Sequence, residues 1–211
     1  MKHFHYASVA SIALVLLASA PAEAQRRGGG RTVDGPRIVL FTGVDFAGKL
    51  GQTTIAPDGT KTTNTAGLAG SPLVGFRFSG TISRIFLLGT QFRSTWWRVD
   101  DPNVARNAVL DFSLVPELRI PVRNRGRVAV EPHLALPVGF TLNVWKNGND
   151  SDPGFHVGVM PGLSIISRRG FGALVELGFM HHSFYAQSAG GTDFRRRLDQ
   201  GSFQAGFLYA F

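Results

Sequence analysis

The stretch NAVLDFSLVPELRIPV, residues 107–122, decides the class of fold. Ala108, Leu110, Phe112, Leu114, Pro116, Leu118, Ile120 and Val122 recur at every second position. Asp111, Ser113, Glu117 and Arg119 fill the places between them, with Val115 as an apolar exception. Side chains alternate across a strand, whereas a helix returns to the same face only after three or four residues. The next segment repeats the pattern. Val128, Val130, Pro132, Leu134, Leu136, Val138, Phe140, Leu142 and Val144 oppose Glu131, His133, Thr141 and Asn143.

Working outward from this pair, the same period predicts eight strands, at roughly 37–47, 67–78, 84–97, 107–122, 128–145, 154–167, 171–185 and 199–211. Most exceed the mode of about 5–6 residues in soluble sheets and match the ~9–11 tilted residues that cross a bilayer. The connections at 79–83, 123–127 and 168–170 are short, and Arg123, Arg125, Arg127, Arg168 and Arg169 mark two of them. Those at 48–66, 98–106, 146–153 and 186–198 are longer and polar. Strict alternation of short and long connections implies an up-and-down meander with its turns at one end and its loops at the other, as in transmembrane barrels.

The polar faces carry Asp45, Arg77, Arg93, Asp111, Glu117, Arg119, Glu131, His133 and Glu176 among many glycines. Small residues mixed with both signs of charge suit the crowded bore of a narrow barrel, where ions must pair. An eight-stranded barrel has an interior just filled by side chains. The expectation is therefore an all-β, eight-stranded antiparallel barrel with its apolar face to lipid and a closed, salt-bridged lumen. His133 and His156 are expected to partner interior carboxylates such as Glu131 or Glu117. The rival arrangement, with the apolar face inward, is a soluble secreted β-barrel binding a small apolar ligand.

Phe203, Ala205, Phe207, Tyr209 and Phe211 share one face of the last strand, and the sequence closes on Phe211. An exposed aromatic edge is an aggregation hazard, which closure onto the first strand removes. Here the chain resembles the small outer-membrane β-barrel proteins of Gram-negative bacteria, the OmpA/OmpX-type class. The resemblance covers nearly all of 37–211 as a pattern and the last strand as a motif. It implies residence in the outer membrane and an assembly signal, Phe207, Tyr209 and Phe211, read by the barrel assembly machinery. Phe46, Trp96, Trp145 and Tyr185 at strand ends beside long loops, and Phe78, Phe171 and Phe211 opposite them, fit two interfacial girdles.

The leader fits that destination. Lys2, the uncharged run Ala7–Ala20 and Ala22-Glu23-Ala24 have the layout of a secretory signal peptide. The run is too short for the ~20 residues of a membrane-spanning helix. Residues 1–24 are expected to be removed, 25–36 to form a flexible periplasmic leader that includes Arg27-Gly28-Gly29-Gly30-Arg31, and 37–211 to form the barrel. The 211-residue chain has no cysteine, which excludes a disulfide scaffold, a thiol nucleophile and a lipidated N-terminal Cys. Its net charge of +8 asks for a polyanionic neighbour. Export separates the chain from nucleic acid and leaves an acidic membrane surface, and no cofactor or metal motif is present.

Candidate chemistry is confined to the last two strands. His181-His182-Ser183 puts His181 and Ser183 on one face, the lipid-facing one by parity, and His182 on the other. If Phe171 pairs with Phe211, Ser183 falls opposite Asp199, and a Ser, a His and an Asp meet at the outer rim. This His-x-Ser pairing is similar to that of the outer-membrane lipid A deacylase family. That likeness implies His181 as base and Ser183 as nucleophile of an acyl-ester hydrolase, with Asp199 standing in for the family's Glu. Phe184 stands where that family carries Asn, and no Glu follows Ser183. Arg195, Arg196 and Arg197 in the last long loop are expected beside lipopolysaccharide phosphates, for which arginine is well suited. The leading expectation is a monomeric, non-enzymatic envelope barrel acting through its external loops. The hydrolase is the alternative.

Overall fold

The computed structural model describes residues 35–101, 106–120, 128–146, 151–188 and 190–211. The expected signal peptide, most of the expected leader and Arg123, Arg125 and Arg127 lie outside them. Ten strands follow in order: β1 (Arg37–Ile55), β2 (Lys61–Gly67), β3 (Ser71–Ser83), β4 (Phe86–Trp97), β5 (Asn107–Arg119), β6 (Val128–Ala135), β7 (Val138–Val144), β8 (Ser151–Ser167), β9 (Phe171–Gln187) and β10 (Asp193–Ala210).

All pairings are antiparallel, and β1 pairs with β10 from Arg37↔Ala210 to Ile55↔Asp193, which closes the ring. The ten strands make eight staves. β6 and β7 are halves of one stave, both between β5 and β8, and are interrupted at Leu136–Pro137. Proline has no N–H to give to a ladder. Its carbonyl still accepts from the Gly158 amide at 2.8 Å, and the Leu136 amide donates to the Pro116 carbonyl at 3.0 Å. β2 and β3 share another stave. β3 pairs with the lower part of β1, Arg37–Asp45, and β2 pairs with the upper part, Lys49–Ile55.

Burial is inverted relative to a soluble protein. Leu40, Phe76, Leu114, Leu177 and Phe207 are exposed on the outside, while Arg77, Arg93, Asp111 and Glu176 are buried inside. Phe76, Phe92, Phe112, Phe140 and Phe155 stand opposite one another across five adjacent staves. The first two ring contacts have centroids 5.9 and 5.1 Å apart. Apolar surface on this scale is stable only against hydrocarbon. The fold is therefore a transmembrane barrel, and the soluble arrangement with an apolar interior is overturned.

Strand limits and pairings differ from expectation in detail, and the predicted turn at 79–83 lies within β3, which runs on to Ser83. The predicted loops at 48–66 and 186–198 are largely strand, because β1 runs on to Ile55, β2 follows, and β10 begins at Asp193. Phe171 pairs with Tyr209 instead of Phe211. Trp145 does not join the outer girdle. It is partly buried, packs edge-on against Trp97 at 6.0 Å and donates from Nε1 to Asp152 at 3.0 Å, so it caps the mouth of the bore.

Candidate functional site

Two groups of polar residues are candidates, one inside the barrel and one outside it. At the lower end of the lumen, near Arg37, the Arg37 guanidinium meets Glu131 at 2.7 Å and Arg119 lies 3.6 Å from the same carboxylate. Above them Arg77 grips Glu176 bidentately, at 2.7 and 2.8 Å, approaches Glu117 at 3.5 Å and donates to Gln91 at 2.9 Å. His133 Nε2 lies 2.8 Å from Glu176, and Gln204 donates to the same carboxylate. Higher still, Arg93 pairs with Asp45, which also accepts from Gln200 at 2.6 Å.

Asp111 is the centre of the upper group. It accepts from Thr141 at 2.7 Å, and His182 Nε2 and His156 Nδ1 lie 3.1 and 3.6 Å from it. Ser113 and His156 Nε2 share a hydrogen bond of 2.8 Å. The carboxylate partners of His133 and His156 are thus Glu176 and Asp111, and the expectation of Glu131 or Glu117 is corrected. Strand register, which parity alone does not reveal, makes the choice. An apolar cap of Trp97, Val109, Phe184 and Leu198 lies over the upper group.

The outer group sits where the outward face of β1, β10 and β9 turns from apolar to polar. Phe46, Gly201 and Phe179 form one cross-strand row, and Lys49, Asp199 and His181 form the next one up. His181 Nδ1 lies 2.5 Å from Asp199 Oδ1, with the two side chains 30 and 43% exposed. The His181 Nε2 has no hydrogen bond among the described residues. Ser183 lies two residues along the same face, opposite Arg197 on one side and Phe155 on the other. The expected Ser183–Asp199 pairing is therefore wrong by two residues, because Asp199 faces His181 directly. No hydrogen bond joins Ser183 to His181 among the described residues. An acid–imidazole pair is in place, and the hydroxyl is near it but not engaged. Phe184 turns inward and stacks on His182 at 6.0 Å.

The three consecutive arginines separate. They lie on β10, not in a loop. Arg195 and Arg197 are exposed on the outward face, opposite Thr53 and Gly51. Arg196 points into the mouth of the bore, where it pairs with Asp152, donates to Gln52 at 3.0 Å and lies 4.8 Å over the Trp145 ring. Above them Asp193 accepts from the Tyr185 hydroxyl at 3.0 Å and from Gln187 at 2.9 Å. That hydrogen bond holds the Tyr185 phenol above its ordinary range. Sequence reading missed Lys49. It falls in the expected loop at 48–66, whereas β1 runs on past it and a bulge between Phe46 and Lys49 turns it outward.

No protein-family model matches the chain, and no curated protein matches it. Among solved structures, the outer membrane protein OprG from Pseudomonas aeruginosa superimposes with a TM-score of 0.52 at 12% identity, over 84% of this chain and 97% of that one. Neisserial surface protein A aligns at 10% identity and a TM-score of 0.39, over 82 and 97% of the two chains. Ail of Yersinia pestis gives 11% and 0.35, over 83 and 99%. The chain has the fold of the small eight-stranded outer-membrane barrels. At these identities the likeness extends to the fold alone.

Proposed function

We propose that the protein is a monomeric outer-membrane barrel of the Gram-negative cell envelope that neither conducts nor turns over a substrate. Its working surface is the extracellular rim with the lipopolysaccharide leaflet around it. One observation carries this reading. The bore is filled by buried side chains from Arg37 at one end to Trp97 near the other, and each of its carboxylates meets a cation, a histidine or an amide. An eight-stranded interior filled in this way by the described side chains supports a closed bore. Outer-leaflet contact falls to the outward Arg195 and Arg197, with Arg196 withdrawn into the mouth. Residues 1–24 direct export, and Phe207, Tyr209 and Phe211 present the aromatic face that the assembly machinery reads. In a planar bilayer the purified protein should leave the baseline current unchanged. Reproducible conductance steps from folded protein would overturn the reading.

The His181–Asp199 hydrogen bond favours a second reading, a lipid acyl-ester hydrolase. Asp199 orients the imidazole, and Ser183 supplies the nucleophile after its hydroxyl swings onto Nε2. Lipid A from expressing cells should then lose the mass of an acyl chain, and Ser183→Ala or Asp199→Asn should restore it. Unchanged lipid A in cells holding folded protein removes this reading.

A further inference from the structure

We propose that the notch at Gly51 on the outer wall, edged by Lys49, Thr53, Thr65 and Arg197, binds the phosphomonoester headgroup of an outer-leaflet glycolipid. The inference rests on the outer-leaflet contact proposed above and gives it a place and a chemistry.

The notch exists because of a bulge. Between Phe46↔Gly201 and Lys49↔Asp199, β1 advances three residues while β10 advances two. Ala47, inside the bulge, has φ +49°, a left-handed conformation that residues with a Cβ rarely hold. One extra residue reverses the parity of everything above it. Asp45 points into the lumen, and without the bulge Lys49, Gly51 and Thr53 would do the same. With it, Lys49 is exposed on the outside and Leu50 packs toward the apolar cap.

The outward face so created has room and charge. A Cβ placed on Gly51, or on Gly67 two residues beyond Thr65 on β2, would meet nothing within 4 Å. Gly51 stands opposite Arg197 on β10 and Thr65 on β2, with Lys49 and Thr53 on either side along its own strand. Arg195 is diagonal to it, opposite Thr53. Lys49 is likewise diagonal to Arg197, and diagonal neighbours on a sheet face are about 7–8 Å apart, a span that two long cationic side chains close around one phosphate. Lys49, Arg195 and Arg197 form no ion pair among the described residues. Two carboxylates share this face: Asp199, directly opposite Lys49 and bonded to His181, and Asp193, bonded to Tyr185 and Gln187.

The level on the wall selects a lipid. Immediately below the notch the same face carries Phe46, Phe179 and Phe203, all exposed. Acyl chains lying on those rings would bring a phosphate on the attached sugar to the first polar rows, where Lys49 and Arg197 stand. Arginine presents a planar fork to phosphate oxygens, and lysine adds a point charge.

The test uses the mature protein in detergent micelles, titrated with bisphosphorylated lipid A, with bound lipid counted by native mass spectrometry. Heat-modifiable gel mobility certifies folding of each variant. Wild type should retain lipid A in preference to phosphatidylcholine. Gly51→Val, which fills the notch without removing charge, and Lys49→Gln/Arg197→Gln should each weaken retention about tenfold or more. Arg168→Gln/Arg169→Gln, which removes the same charge at the opposite rim, should not. Wild type that shows no preference for lipid A overturns the outer-leaflet contact itself. Preference unaffected by Gly51→Val and by Lys49→Gln/Arg197→Gln overturns the notch while leaving that contact standing, and so does equal weakening by the opposite-rim control. Displacement of lipid A by millimolar inorganic phosphate would mark a free anion as the ligand and overturn the lipid assignment.

Discussion

Charge is handled in opposite ways by the bore and by the outer wall above the apolar belt. Inside, Arg77 is surrounded by Glu176, Glu117 and Gln91, and its buried environment leaves no place for a visitor. Outside, Lys49, Arg195 and Arg197 face solvent beside an open notch. A charge withdrawn from water must be matched by the protein itself, because desolvation costs several kcal/mol per ion. A charge at the lipid–water boundary is solvated and free to be matched by something else. The inner set is therefore satisfied within the barrel, and the outer set is left to solvent and lipid.

The sharpest way to break that contrast is to remove one member from each side. Arg77→Met should cost about 3–5 kcal/mol, because Glu176 is left buried without its cation. Lys49→Gln should change stability by less than about 0.5 kcal/mol. Urea titration of protein folded into vesicles, read by gel mobility, measures both. If the two variants unfold at the same urea concentration, the distinction between structural and available charge is lost. Placing a charge where neither solution exists sharpens the point. Leu114→Arg, on the lipid face near the middle of β5, should cost about 2–4 kcal/mol in the same assay. A smaller effect of the opposite sign is expected at the bulge, where Ala47→Gly should stabilise the barrel by about 1 kcal/mol, since glycine holds a positive φ without the Cβ penalty. A loss of stability there would mean that the bend is unstrained.

The membrane-embedded part was readable from sequence because hydrocarbon outside and ions inside impose opposite chemistry on alternate residues. Asn107–Arg119 shows this in the plainest form. β2 escaped because Lys61–Gly67 is polar on both faces, so alternation leaves no trace where water bathes both sides. The start of β10 escaped for a related reason, since Asp193–Arg197 offers no apolar stripe. Register is a further step removed. Pairing Phe171 with Tyr209 instead of Phe211 moves Asp199 from Ser183 to His181, and nothing in either strand alone encodes that choice. The bulge at Ala47 is likewise invisible to a period of two, and with it went Lys49.

Hydrogen bonding around the ring is uneven. The seam between the first and last strands runs from Arg37↔Ala210 to Ile55↔Asp193 with only one irregularity. On the opposite side of the ring, the Leu136–Pro137 interruption splits the ladder that β5 makes with β6 and β7. Deuterium should consequently enter the backbone first beside Pro137 and last along β1 and β10. A cylinder zipped in this way has a break in the ladder near the middle of its chain and a long clasp where its two ends meet.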